Sequence, residues 1–190
     1  MEKGSELPYG DPGRKYKGRV VFLGDRVRDQ QGRIAVFEEM SSSPAALEAG
    51  KLCDFYGCLI AGGGAGDISG VTEPFVLMQS DATQAYCQAE LGGNVTWIRL
   101  PPSRWPANWK GMNDPVCKLV KALYGHPNSG SYWEEKCDRK ITMEGFEPVG
   151  DSGEWRSCYI HKGLGVMLVV YVDDFKMAGL KSNCEAAWEP

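Results

Sequence analysis

The spacing of apolar and polar positions changes several times along the chain, and each change predicts an element. Side chains alternate from Tyr16 to Gly24 and close on the apolar run Val20-Val21-Phe22-Leu23, the period of a strand. After a turn at Gln30-Gln31-Gly32, the stretch Arg33-Ile34-Ala35-Val36-Phe37 predicts the second strand of a hairpin. Ser43 and Pro44 stand as cap and first-turn residue ahead of Leu52, Phe55, Tyr56, Leu59 and Ile60, whose helical spacing predicts one amphipathic helix over 44–60. The glycine cluster Gly62 to Gly66 stops it.

Further along, Pro74 to Met78 predicts a short strand leading into Ser80-Asp81, and Val95 to Leu100 predicts another, ended by Pro101-Pro102. The stretch 103–115 reads as a loop, 116–119 as a strand and 123–128 as a turn. Ser131 with Glu134 forms a capping-box pattern, predicting a helix to about Glu144 that Gly145 ends. Two more strands follow, over 156–160 and 165–172. Residues 1–13 are polar and rich in Gly and Pro, which predicts a flexible lead-in.

The chain has 190 residues, 43% hydrophobic and 24% charged, which suits a globular domain with a core rather than a disordered or collagen-like chain. The apolar run Val166 to Val172 is about a third of what a membrane-spanning helix needs, so no membrane partner is expected. The N-terminus has no apolar core of the signal-peptide kind, and the seven cysteines fall in no paired spacing. Reduced thiols in an intracellular compartment, cytoplasmic or nuclear, are the expectation. Net charge is −4, yet residues 14–33 carry seven basic and two acidic side chains, a local +5. That segment could lie along a phosphate backbone, although taken alone it reads first as a solvated strand-and-turn surface.

Two tempting motifs fail on spacing. In Gly62 to Gly66 the dinucleotide pattern breaks where Asp67 and Ser69 replace the needed glycines, and the cluster follows a helix instead of a strand. Cys158 and His161 lie three apart, but no second pair at zinc spacing completes a site. The cysteines therefore read as packing residues.

The carboxylates are more informative. A buried apolar strand, Gly165 to Val172, runs into Asp173-Asp174 and then a shorter apolar return. Adjacent aspartates suit a structural turn. They also repel each other unless a cation lies between them. Asp81 ends a separate apolar strand. If that strand lies beside the hairpin, three carboxylates converge. Hard oxygen ligands of that kind suit two Mg²⁺ ions, with Mn²⁺ as a substitute, in phosphoryl transfer.

The run Tyr171-Val172-Asp173-Asp174 after an apolar strand resembles the catalytic hairpin of reverse transcriptases. Ser80-Asp81-Ala82-Thr83-Gln84-Ala85-Tyr86 resembles their first aspartate motif. Three further stretches are similar to the copia-type retrotransposon branch: Lys118 to Gly125 followed by Trp133, Tyr16 to Gly24, and Ile98-Arg99-Leu100-Pro101-Pro102. They occur in the family's order across residues 14–180.

The resemblance implies an α+β fold, the fingers and palm of a right-hand polymerase, with an antiparallel palm sheet and helices on one side. A partial reverse transcriptase domain would occupy 14–190, with fingers at 14–73 and 92–130 and palm at 74–91 and 131–190. The implied activity is RNA-directed DNA polymerisation, with deoxynucleoside triphosphates and an RNA or DNA template bearing a primer as partners. Asp81, Asp173 and Asp174 would be catalytic and hold two Mg²⁺ ions together with the backbone carbonyl of Ala82. Tyr86 would pack against the incoming sugar, and read alone it is equally a core tyrosine. Lys17 and Arg19 would contact the triphosphate.

The chain departs from the family in two places. Asn128 stands where the family has a glutamine in a basic turn, and it reads either as a template and nucleotide contact or as a turn or cap residue. The chain ends at Pro190, soon after Asp174, so a thumb is expected to be missing. Two alternatives stay open beside the polymerase: a catalytically inert remnant of such a domain, and a nucleotide-binding domain unrelated to polymerases.

Overall fold

In the computed structural model, residues 2–3, 8, 10–14, 17–18, 20–37, 44–58, 73–150 and 155–188 are described. In chain order the elements are β1 (Glu2–Lys3), β2 (Lys17–Gly18), α1 (Leu47–Cys58), β3 (Phe75–Asp81), α2 (Ala85–Gln88), β4 (Trp97–Arg99) and β5 (Val116–Lys118). They continue with α3 (Ser129–Met143), β6 (Glu147–Pro148), β7 (Cys158–His161), β8 (Val166–Tyr171), β9 (Asp174–Leu180) and α4 (Lys181–Trp188). A five-stranded antiparallel sheet in the order β3-β9-β8-β7-β6 carries the core, and β4-β5 and β1-β2 form two separate small pairs. The architecture is α+β.

β8 explains the layering. Its residues Val166 to Val170 are all buried, which an antiparallel strand shows only when both faces of its sheet are covered. Val166, Leu168 and Val170 point to one side, into a cluster with Trp133, Cys137 and Ile141 of α3. Met167 and Val169 point to the other, with Ala49 and Cys53 of α1 and Ala178 of β9. Each such side chain contributes about 1.5–3 kcal/mol on burial. Helices thus cover both faces, not the single face expected from the sequence.

α1 begins at Leu47, three residues later than predicted, and Ser43, Leu59 and Ile60 lie outside the described residues. Of the predicted apolar stripe, Tyr56 packs against the core cluster on this side of the sheet, but the rest of the buried face is made by small residues. Ala49, Cys53 and Gly57 face the sheet, while Leu52 and Phe55 are exposed. Small side chains let the helix approach closely: a Cβ on Gly57 would stand 2.7 Å from Leu77 Cγ. Lys176 Nζ on β9 pairs with Asp54 Oδ1 at 2.8 Å across this contact. Ahead of the helix, Ala45 N–H donates to Val170 O at 3.2 Å.

The N-terminal hairpin reduces to a bridge between Arg28 and Ile34 around the turn at 30–32. Residues 20–23 form no strand, with Val20, Val21 and Leu23 exposed and Phe22 N–H donating to Tyr124 O at 2.7 Å. The alternating pattern there has no sheet to lie on. The lead-in contributes β1, which pairs with β2. The glycine cluster lies outside the described residues. No helix among the described residues is long and apolar enough to cross a membrane.

Candidate active site

β8 and β9 are joined by the two residues Val172 and Asp173, so the adjacent aspartates stand at a tight hairpin tip. β3 runs antiparallel to β9 along its full length, and its last residue, Asp81, lies directly opposite Asp174. Asp174 in turn pairs with Tyr171 on β8. Opposed cross-strand residues have Cβ atoms about 4.5–5.5 Å apart, and like charges so placed destabilise a sheet. The backbone continues this join, with Ala82 N–H donating to Asp173 O at 2.7 Å. The end of the sheet therefore brings Asp81, Ala82, Asp173 and Asp174 to one place. Asp81 and Asp174 are exposed and Asp173 is half-buried.

The hairpin tip is held against its own preference. Val172 has φ of +59°, a left-handed conformation that costs a β-branched residue about 1–3 kcal/mol. Only the first of the two loop residues has positive φ, which matches a type II′ turn, where glycine is the usual occupant. The carbonyl of Val172 accepts a 2.6 Å hydrogen bond from the indole Nε1–H of Trp133, a side chain buried in α3. Neither feature was singled out by motif or periodicity. Trp133 entered the sequence reading as a matching aromatic, and only its donor nitrogen hinted at more.

Tyr86 lies on α2, which follows β3 after Gln84 turns the chain at φ of +54°. Its ring leans on Tyr124 with centroids 4.6 Å apart. Burial raises the pKa of its hydroxyl above the ordinary tyrosine value, and the nearby Asp173 carboxylate adds to the rise. Tyr86 is thus half-buried beside the hairpin carboxylates. With Trp133, Tyr159, Val170 and Val172 it lines a small, mostly apolar hollow beneath the tip.

Asn128 stands at the cap position of α3, three residues before the predicted cap Ser131. Its side chain makes no cap hydrogen bond, so the cap reading of its side chain is not realised. Its backbone N–H donates to His126 Nδ1 at 3.2 Å. The turn is closed by Ser129, whose buried Oγ accepts from Leu123 N–H at 2.9 Å and donates to Leu123 O at 2.8 Å. The predicted capping box is displaced, because Ser131 already lies inside the helix. Of the two basic candidates, Lys17 belongs to β2 and pairs with Lys3 through the backbone, and Arg19 lies outside the described residues.

The oxygen-only donor set of Asp81, Asp173, Asp174 and the Ala82 carbonyl has the hardness that Mg²⁺ prefers. Among the described residues, however, no group of three His, Cys, Asp or Glu side chains stands ready to enclose an ion. Mg²⁺ is commonly held by one or two carboxylates with water and substrate phosphates supplying the rest, so the donors fit a site shared with substrate.

The chain is similar to Gag-Pol polyproteins of yeast transposons. It is 31% identical to the transposon Ty1-DR4 Gag-Pol polyprotein of Saccharomyces cerevisiae over 110 residues, covering 57% of this chain and 6% of that protein. It is 33% identical to the truncated transposon Ty1-A Gag-Pol polyprotein of the same yeast over 101 residues, covering 53% of this chain and 7% of that protein. No family model matches the chain, and no solved structure matches it. The matched stretch is a small fraction of those long polyproteins and about half of this chain, and the likeness supports a retrotransposon origin.

Proposed function

We propose that this chain is the fingers and palm of a copia-type reverse transcriptase, an RNA-directed DNA polymerase domain. The observation that carries the reading is the register of β3 on β9, which sets Asp81 opposite Asp174 while Ala82 N–H binds Asp173 O. A sheet gains nothing from opposing two aspartates, and a cation-binding role accounts for the cost. The similarity to transposon polyproteins supports the same reading.

On this reading Asp81, Asp173 and Asp174, with the Ala82 carbonyl, hold two Mg²⁺ ions. When bound, those ions lower the pKa of a primer 3′-hydroxyl and neutralise the pyrophosphate leaving group. The protein's own part is positional. The β3–β9 ladder fixes the spacing between Asp81 and Asp174, and the Ala82 bond holds the Asp173 backbone. Tyr86, braced by Tyr124, presents its ring beside the carboxylates, where it packs against the sugar of a deoxynucleoside triphosphate. Lys17, Arg19 and Asn128 are assigned to nucleotide and template by resemblance.

The test is Mg²⁺-dependent extension of a DNA primer on an RNA template, with Asp174→Asn in parallel. Extension by the wild type that falls at least about a hundredfold in the variant is the expected result, consistent with loss of an electrostatic stabiliser of the transition state. A second reading, an inert remnant of such a domain, draws on the altered turn at 126–131, where Asn128 stands in place of the family's glutamine. It is adopted if the wild type extends no primer at high protein and low salt.

A further inference from the structure

The site places two carbonyls at the hairpin tip, and both are occupied. Asp173 O accepts from Ala82 N–H at 2.7 Å, and Val172 O accepts from Trp133 Nε1–H at 2.6 Å. The first bond ties the tip to β3. The second ties it to α3, on the other side of the apolar hollow. Between them sits Val172 at φ of +59°, which a valine leaves readily unless its surroundings forbid it. The indole is well suited to hold it. Trp133 is 6% exposed, and a buried indole N–H needs a partner. The Val172 carbonyl is that partner. Trp133 is itself seated by a rigid helix start, since Ser129 on the same helix clamps both backbone groups of Leu123.

From this we infer that Trp133 is a positioning residue for catalysis: its indole N–H pins the strained Val172 carbonyl and so holds the Asp173 and Asp174 carboxylates at the height of Asp81. The inference deepens the polymerase reading and rests on it for its catalytic consequence. The mechanical part stands on the geometry alone.

Hydrogen exchange of the full chain, followed by NMR, tests the hold without a ligand. The Ala82 amide reports the hairpin, because its hydrogen is donated to Asp173 O. In the unaltered protein the Trp133 indole hydrogen exchanges slowly, on the same opening as the Ala82 amide. A fast-exchanging indole beside a protected Ala82 overturns the inference. Trp133→Phe keeps a buried ring and removes the donor, and it speeds Ala82 exchange at least about tenfold relative to amides of α1. Tyr159→Phe is the matched control. It removes another hydrogen bond from α3, Tyr159 Oη to Asp138 Oδ1 at 3.1 Å, and leaves that ratio unchanged.

Val172→Gly in the Trp133→Phe background restores protection, because glycine takes a positive φ without strain. If Trp133→Phe loosens Ala82 no more than Tyr159→Phe does, Trp133 is a core residue only. In primer extension, Trp133→Phe lowers kcat at least about tenfold and leaves the nucleotide KM within about twofold. A wild type that extends no primer removes the polymerase reading, while the exchange ratios still decide whether Trp133 holds the hairpin.

Discussion

His126 shows how far one side chain can be specified by its surroundings. It is buried with Phe22 and Phe37, each with ring centroids 5.2 Å away. Nδ1 accepts from the Asn128 N–H, which leaves the proton on Nε2, facing Thr96 Oγ1 at 3.4 Å. Burial lowers its pKa below the ordinary histidine value of 6.5. The unfolded chain therefore takes up a proton near pH 6.5 that the folded chain refuses. Stability from this site is present above that pH and lost as pH falls through the folded value. Protonation also fills Nδ1 and breaks the Asn128 bond. Denaturant unfolding from pH 7.5 to 5 should find the wild type losing stability with acid more steeply than His126→Gln. Carboxylates contribute equally to both curves, so the difference isolates the ring, and parallel curves reject this account.

At the scale of elements, the join between the 123–128 turn and α3 depends on one hydroxyl. Ser129 is 1% exposed and is bonded to both backbone groups of Leu123. Ser129→Ala strands the Leu123 N–H, while the Leu123 carbonyl keeps its bond from His126 N–H at 3.0 Å, and one such unsatisfied group costs about 1–3 kcal/mol. A loss of about 2 kcal/mol in thermal or chemical denaturation is expected, with a change under about 0.5 kcal/mol ruling the clamp out. The sequence pointed instead to Ser131, because the cap position falls on Asn128 and Ser129 bonds back to Leu123 across the turn, a contact that the Ser-x-x-Glu pattern does not encode. The same logic governs α1. Leu52 and Phe55 of its visible apolar stripe stay in solvent because the sheet accepts chiefly the small face of Ala49, Cys53 and Gly57. By contrast, the β8–β9 hairpin was legible, since a continuous apolar run broken by two aspartates permits few other shapes. Strand partnership was not. Nothing local places β3 on β9, or Asp81 against Asp174, and the indole bond to Val172 spans 39 residues of sequence.

At the scale of the whole molecule, two clusters share a single sheet, and the cysteines mark both. Cys53 and Cys158 belong to the α1 side, and Cys137 and Cys184 to the α3 side. Burial pushes the thiols of Cys53 and Cys137 up to about 12 and those of Cys158 and Cys184 up to about 11. The thiolate is the reacting form, so these four resist alkylation at pH 8 through both pKa and access. Cys58 is exposed and reacts first, followed by the half-buried Cys87 and Cys117. Alkylation under increasing urea then reads the cooperativity of the fold. Removing the α1 side alone bares Met167 and Val169 on a strand whose alternate residues still support α3. At about 1.5–3 kcal/mol for each side chain exposed, that half-open state is poorly populated. All four buried thiols should therefore become reactive at one urea midpoint, resolved residue by residue by mass spectrometry. An earlier midpoint for Cys53 and Cys158 than for Cys137 and Cys184 means that the α1 layer opens as its own unit. The face of the sheet carrying Trp133 would then be the one that keeps the hairpin in place.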